Sequence, residues 1–160
     1  MHRGPSGRRA VVTNIGQPIE QMNEANNDFW QSHSMKFLEC AFRADRQETV
    51  HRADGHGKKT GDCGDTVEFF LMVKDDRLQT ISYAVNGCVN TNACANAVID
   101  LAEQRPLDEA WDITPEMVSA YLETLPQDHY HCAELAVGAF YLALADARRT
   151  LQHAWKSNYR

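Results

Sequence analysis

Residues 61–88, GDCGDTVEFFLMVKDDRLQTISYAVNGC, decide the fold because they encode a β-hairpin with a cysteine near each open end. Apolar residues alternate with their neighbours over 66–74 and again over 78–86, which is the period of a β-strand. The pair Asp75-Asp76 between these segments is typical of a hairpin turn. The hairpin therefore brings together the two cysteines that flank it, Cys63 and Cys88.

A third cysteine lies at the start of the last predicted helix. Apolar residues recur at helical spacing over about 131–155, so Cys132 falls in the first turn. Cys88 lies just ahead of another predicted helix, residues 90–103. A helix N-terminus presents free N–H groups and a partial positive charge, which stabilise a thiolate. The sequence therefore predicts that Cys63, Cys88 and Cys132 meet, and that Cys88 and Cys132 are activated.

Composition limits the class of protein. The 160 residues carry five cysteines and a net charge of −6, and they are enough for one domain with a core that needs no disulfides. The odd cysteine count and the absence of a secretory pattern predict a cytoplasmic protein with reduced thiols. No apolar run approaches the roughly 20 residues of a membrane span, and the negative charge argues against nucleic acid.

The remaining segments outline the domain. Residues 1–24, with arginines among glycine and proline, predict a flexible tail, and 25–160 predict a single domain. Residues 28–45 predict one amphipathic helix, and 50–60 predict a mobile loop or a weak edge strand. Two further helices are predicted, a short one over 106–113 and one that starts after the N-cap Thr114. Cys40 and Cys94 lie on apolar stripes, which favours buried thiols.

The chemistry of the three cysteines points to a labile metal centre. Thiolates bind iron, zinc and sulfide, and Asp65 and His131 lie beside Cys63 and Cys132. Structural zinc sites typically use C-x2-C pairs, which this sequence lacks. Ligands drawn from three separate segments, one of them preceded by a glycine-containing loop, suit a site that opens and releases its contents.

Five motifs together resemble the IscU and NifU N-terminal family of iron-sulfur cluster assembly scaffolds. They are, in order, Gly61-Asp-Cys-Gly-Asp65, Asn86-Gly-Cys88, Leu107-Asp-Glu-Ala110, Leu125-Pro126 and His131-Cys132-Ala-Glu-Leu135. Each motif is weak alone, but the ordered set is specific, and the resemblance covers about residues 28–150. It implies an α+β fold in which helices pack on a small antiparallel sheet, with a long C-terminal helix and no enzymatic activity.

The resemblance also implies the roles of individual residues. Cys63, Cys88 and Cys132 would be the functional thiols, with Asp65 and His131 as supplementary ligands of iron. A nascent iron-sulfur cluster of the 2Fe–2S type would be assembled from Fe²⁺ and from persulfide sulfur that a cysteine desulfurase delivers to Cys132. The cluster would then pass to apo iron-sulfur proteins, and Zn²⁺ would be a substitute metal in the protein as purified.

Residues 125–130 and His129 depart from the family pattern, and the oligomeric state stays open. Residues 125–130 read LPQDHY, whereas the family's form is Leu-Pro-Pro-Val-Lys before an apolar residue, which weakens the expectation of an Hsp70-type chaperone as partner. His129 stands where the family has a lysine, so it is a further candidate ligand, as is Cys94. The sequence leaves open whether the protein is a monomer or a weak homodimer.

Alternative functions of the same residues remain. A zinc-bound sulfur acceptor would use Cys63, Asp65, Cys88 and Cys132 and would hold no labile sulfide. A stable cluster carrier for electron transfer would add Cys94 to the three functional thiols. A thiol hydrolase based on Cys132 is disfavoured, because nothing marks an oxyanion hole and neighbouring residues on a helix point in different directions.

Overall fold

The computed structural model describes residues 28–158, of which 34–158 form a three-stranded sheet and the helices packed around it. The main elements are α1 (Met35–Phe42), β1 (Gly55–Thr60), β2 (Thr66–Lys74), β3 (Arg77–Asn86), α2 (Val89–Ala102), α3 (Pro115–Leu122) and α4 (Tyr130–Asn158). The strands are antiparallel in the order β1-β2-β3. The predicted α+β fold with a long C-terminal helix is confirmed.

The β2–β3 hairpin matches its prediction. Its two-residue turn consists of Asp75 and Asp76, whose φ angles of 54° and 62° lie in the left-handed region that a tight hairpin turn requires. Pairing continues to Thr66 opposite Asn86 at the open end, with one irregularity between Met72 and Val73. The hairpin therefore holds the segments before β2 and after β3 side by side.

The segment 50–60, predicted as a loop or a weak edge strand, contains the edge strand β1. Its polar sequence forms a strand because α4 packs closely over it. Gly55 and Gly57 are buried there, and a Cβ on Gly57 would overlap the backbone nitrogen of Ala143 and the backbone oxygen of Ala139. Glycine at these two positions lets the helix backbone approach the strand backbone.

The prediction of one helix over 28–45 is wrong. Residues 28–32 are helical and belong to a compact unit that ends at His33, while α1 belongs to the second unit, 34–160. Ser34 begins α1 as its N-cap, because its hydroxyl oxygen accepts a hydrogen bond from the backbone N–H of Phe37. The tail predicted for residues 1–24 lies outside the described residues.

The other helices follow the sequence with one correction. Thr114 caps α3 and accepts from the backbone N–H of Met117, as predicted. The helix predicted over 106–113 is only a 3-10 turn, Glu109–Asp112, and a second 3-10 turn, Gln127–His129, leads directly into α4. Within residues 28–158, none of the helices has the length and apolar character of a membrane span.

The helix α2 lies at the centre of the core. It packs against α1, α3, α4 and β3, so its side chains are buried on almost every side. Cys94 lies within it with an exposure of 0%, and Cys40 of α1 is 1% exposed. The prediction that both are buried thiols is confirmed, and burial raises the pKa of each well above that of a free thiol.

Candidate metal centre

The open end of the β2–β3 hairpin meets the start of α2, and this junction positions Cys88 and Asp65. Cys88 is the N-cap residue of α2. Asp65 precedes β2, and its Oδ2 accepts hydrogen bonds from the Cys88 backbone N–H at 3.2 Å and from the Thr91 hydroxyl at 2.6 Å. A Cβ on Gly87 would lie 2.5 Å from the Asp65 Cγ, so glycine is required for this close approach.

These contacts fix the charge of Asp65. The Thr91 hydroxyl, followed by the Cys88 backbone N–H and the charge of His131, holds the pKa of Asp65 below its usual range against the opposing effect of burial. Asp65 is therefore a carboxylate at neutral pH, with one oxygen engaged by α2. It lies at the N-terminus of that helix, where the helix dipole favours a negative charge.

Cys132 reaches the same place from the first turn of α4. Its Sγ lies 3.4 Å from the Thr91 Oγ1, and its side chain is 0% exposed. The prediction of a thiolate activated by the helix N-terminus is wrong for Cys132 in this structure, because burial raises its pKa to about 11. The desolvation of the thiol outweighs the lowering effect of its hydrogen bond with Thr91, and the charges of Cys88 and Asp65 raise the pKa further.

His129 joins the two thiols. Its Nδ1 lies 3.9 Å from the Cys132 Sγ, and the ligand atoms of Cys88, His129 and Cys132 all lie within 4.8 Å of one another. Of these three side chains Cys88 is exposed, His129 half-buried and Cys132 buried. The histidine that the sequence left as a further candidate therefore lies in the inner part of the site.

Cys63 and His131 lie next to this group, in an open groove of about 610 Å³. Cys63 is exposed on the tight loop between β1 and β2, which is closed by a hydrogen bond from the Gly61 N–H to the Asp65 carbonyl at 2.9 Å. The groove is lined by Lys59, Thr60, Gly61, Asp62, Cys63, His131, Glu134 and Leu135. Within residues 28–158, neither Cys63 nor His131 belongs to the compact Cys/His group.

The structure thus brings three of the predicted residues, Asp65, Cys88 and Cys132, into one cluster. The other two, Cys63 and His131, line the groove beside it, and the electrostatic effect of His131 on Asp65 links the two parts. Cys94 is buried one turn inside α2 and lies outside the compact group of described residues.

Thr91 was not predicted as a site residue. It is 0% exposed, and its hydroxyl contacts Asp65, Cys132 and, at 3.6 Å, the Cys88 Sγ. The signal that could have found it is its spacing, because residues three apart on a helix share a face and Thr91 follows the N-cap cysteine by three.

The donor set fits iron or zinc. Two thiols and an imidazole are ligands that these metals share, and a carboxylate adds a harder oxygen donor. The imidazole and both sulfurs come from the ends of two helices, and the carboxylate comes from a loop. Only one of the two sulfurs, that of Cys132, is shielded from solvent.

Comparisons with known proteins define the class. The chain is 32% identical over 98 residues to the iron-sulfur cluster assembly scaffold protein IscU 1 of Archaeoglobus fulgidus, over 61% of this chain and 64% of that protein. It is 25% identical over 122 residues to the nitrogen fixation protein NifU of a Nostoc species, over 71% of this chain and 41% of that protein. The chain therefore spans less than two thirds of the length of these relatives.

Solved structures share the fold. A putative iron-sulfur cluster assembly scaffold protein for the SUF system from Fervidobacterium islandicum superposes with a TM-score of 0.60 at 14% identity, covering 71% of this chain and 97% of that one. The N-terminal part of a NifU-like protein from Brucella abortus gives 0.60 at 15%, covering 72% and 94%. At such identities the likeness concerns the fold alone.

The sequence family described as the NifU-like N terminal domain matches residues 45–153. This match covers β1 through most of α4 and includes every residue of the candidate metal centre. The chain belongs to the NifU-like N-terminal domain family, and the resemblance found in the sequence is confirmed.

Proposed function

We propose that this chain is a scaffold on which a transient iron-sulfur cluster is assembled and from which the cluster passes to apo-proteins. The observation that carries the proposal is the convergence of Asp65, Cys88 and Cys132 beside a groove that contains the exposed thiol of Cys63. One thiol of this site is buried and others are exposed. Such a set offers ligands that can hold a cluster and later give it up.

The sulfur chemistry sets requirements on the site. A cysteine desulfurase is the proposed donor, and its persulfide passes the outer sulfur to an accepting thiolate while the donor cysteine departs as a thiolate. That sulfur then needs two electrons to become sulfide, which a ferredoxin-class protein or a thiol reductant would supply. Cys132, the proposed acceptor, is buried, so the groups around it must move before sulfur reaches it.

The cluster type and the ligands are parts of the same proposal. A 2Fe–2S cluster built from Fe²⁺ would use Cys63, Cys88 and Cys132, with Asp65 or a histidine completing the set. Asp65 is a hard donor for iron in a soft ligand set, and its other bonds, to Thr91 and Cys88, compete with the metal. A weakly held fourth ligand favours release over storage.

A second candidate is a zinc-bound sulfur acceptor, which the compact group of Cys88, His129 and Cys132 supports. Such a protein would hold Zn²⁺ and accept sulfur without retaining sulfide. The burial of Cys94 within α2 gives no support to a stable carrier with four thiolates.

The test is anaerobic reconstitution. The protein is supplied with Fe²⁺, cysteine, a cysteine desulfurase and dithiothreitol, and iron, zinc and acid-labile sulfide are then measured per chain. The scaffold proposal predicts iron and sulfide in near-equal amounts, with the sulfide absent when the desulfurase is omitted. Zinc with no sulfide would overturn it in favour of the sulfur acceptor.

A further inference from the structure

Two histidines flank Tyr130 at the start of α4, and their surroundings differ. His129 is half-buried, and its Nδ1 lies 3.9 Å from the Cys132 Sγ. His131 is exposed and faces the groove with Cys63 and Glu134. The two imidazole rings lie 5.8 Å apart, so they occupy different parts of the same site.

Backbone geometry explains this separation. The 3-10 turn Gln127–His129 runs directly into α4, and residues three apart lie on the same side of such a segment. His129 and Cys132 therefore project together. His131 and Cys132 are adjacent, and successive side chains on a helix diverge by about 100°.

The distances suit one metal ion. Zinc bonds of about 2.3 Å to sulfur and about 2.0 Å to nitrogen place tetrahedral ligand atoms roughly 3.5–3.8 Å apart. The ligand atoms of Cys88, His129 and Cys132 all lie within 4.8 Å of one another, so small side-chain movements would complete the geometry. The Asp65 carboxylate accepts a hydrogen bond from the backbone N–H of Cys88 and therefore lies beside this group.

We infer that His129, and not His131, is the histidine ligand of this centre, completing a Cys88, His129 and Cys132 site for a single thiophilic divalent cation such as Zn²⁺ or Fe²⁺. This ligand assignment adds detail to the proposed function. It rests on that function only where it takes the bound metal to be iron that is later built into a cluster. His131 remains in the groove, on the side where Cys63 is exposed.

The matched variants are His129→Ala and His131→Ala, which remove the same group from positions two residues apart. Each metal-free protein is titrated anaerobically with Zn²⁺ against a chromophoric chelator, and then with Co²⁺, whose absorption reports thiolate and imidazole ligation. His129→Ala should weaken Zn²⁺ binding by at least about tenfold and alter the Co²⁺ spectrum. His131→Ala should bind both metals like the wild type.

Three results would overturn the assignment: a loss confined to His131→Ala, an equal loss in both variants, or no loss in either. A measurement on the wild-type protein identifies the ligand without depending on whether a variant folds. Protein with ¹⁵N-labelled histidine is loaded with ¹¹³Cd²⁺, and scalar coupling between the metal and an imidazole identifies the ligand. Coupling to His129 alone supports the inference, while coupling to His131, or to neither histidine, contradicts it.

The two proposals can fail separately. If the wild type couples ¹¹³Cd²⁺ to His129 but assembles no cluster with a desulfurase, the scaffold proposal fails and the ligand assignment stands. If a cluster forms but the metal couples to His131, the assignment fails and the scaffold proposal stands.

Discussion

Thr91 connects the carboxylate and the thiols of the candidate site. Its hydroxyl oxygen lies 2.6 Å from the Asp65 Oδ2 and 3.4 Å from the Cys132 Sγ, and the Thr91 side chain is fully buried. The bond to the carboxylate stabilises the ionised form of Asp65 and holds it against α2. Thr91 therefore sets where the carboxylate lies when no metal is bound.

Replacing this hydroxyl should destabilise the fold in a pH-dependent way. Thr91→Val keeps the shape of the side chain but removes the hydrogen bond to Asp65. We expect the free energy of unfolding at pH 7 to fall by about 1.5 kcal/mol. This value is at the low end for a hydrogen bond to a charged group, because Asp65 is partly exposed. The pKa of Asp65 is lower in the folded protein than in the unfolded chain. The ionised carboxylate therefore stabilises the fold above the unfolded pKa, and this stabilisation is lost as pH falls through the folded pKa.

Urea unfolding of wild type and Thr91→Val between pH 7 and pH 3 measures this effect. The difference between the two proteins should shrink below about pH 4. Thr91→Ser, which keeps the hydroxyl, is the control and should retain the pH dependence of the wild type. A difference that stays constant with pH would contradict the role given to the bond with Asp65.

Asp65 should control how fast the cluster leaves. Asp65→Ala removes the proposed hard oxygen ligand, so we expect a more persistent cluster and slower transfer to an apo-ferredoxin. Circular dichroism in the visible range measures the transfer. Asp62→Ala removes an exposed carboxylate from the same loop and should transfer at the wild-type rate. Equal rates in wild type and Asp65→Ala would exclude this role.

Four of the five cysteines should divide into two classes. Changing Cys63, Cys88 or Cys132 to Ser should abolish cluster assembly, measured as iron and acid-labile sulfide per chain. Cys94→Ser should assemble a cluster, because Cys94 is a core residue, and should lose about 1 kcal/mol of stability. Loss of assembly in a folded Cys94→Ser protein would show instead that Cys94 is a ligand.

Much of this site could be predicted from the sequence, for a definite reason. Cys88 and Cys132 stand at the starts of two periodic helices, and Asp65 precedes a clear strand, so their approach follows from local patterns. Thr91 was missed, because its spacing of three residues from Cys88 is the single sequence signal that marks it. The high pKa of Cys132 depends on burial by distant segments, which local sequence does not reveal.

At the scale of elements, the packing of α4 on β1 shapes the groove. Lys59 and Thr60 at the end of β1 form one wall, and His131, Glu134 and Leu135 of α4 form another. The buried Gly55 and Gly57 allow the helix and strand backbones to come close. The width of the groove therefore depends on two glycines distant from the thiols.

Gly57→Ala tests this contact. Its added methyl group would overlap the α4 backbone, which cannot move aside as a flexible side chain can, so we expect a loss of about 3 kcal/mol in the free energy of unfolding. Thermal unfolding measures the effect, and Lys58→Ala, at an exposed position on the same strand, is the control that should change little. Equal stability of the two variants would contradict the close packing.

The elements differ in how well the sequence predicts them. The β2–β3 hairpin was predicted because both its alternation and its Asp75-Asp76 turn are local signals. The start of α1 was missed because Ser34 is fixed by distant partners, donating its hydroxyl to the Leu122 carbonyl and its N–H to the Thr124 Oγ1. Strand β1 was left undecided because its polar, glycine-containing sequence forms a strand only under α4.

At the scale of the whole molecule, the domain joins a shielded region to an open one. Cys132 and Thr91 lie in the buried interior, and Cys63 lies exposed in the groove, with Asp65 and Cys88 between them. A scaffold needs both, because the cluster must be protected while it forms and must be reachable when a recipient protein arrives. Solvent exposure therefore increases from Cys132 to Cys63 along the junction of the hairpin with α2 and α4.

Cluster transfer from the wild-type protein is the measurement that decides whether this chain is a scaffold. The chain is loaded anaerobically, separated from excess iron and sulfide, and mixed with an apo-ferredoxin in the presence of a chelator that traps free iron. Iron and sulfide should reach the ferredoxin together, in equal amounts, without appearing in the chelator. A cluster that stays on the chain, or iron that passes to the chelator without sulfide, would contradict the scaffold proposal.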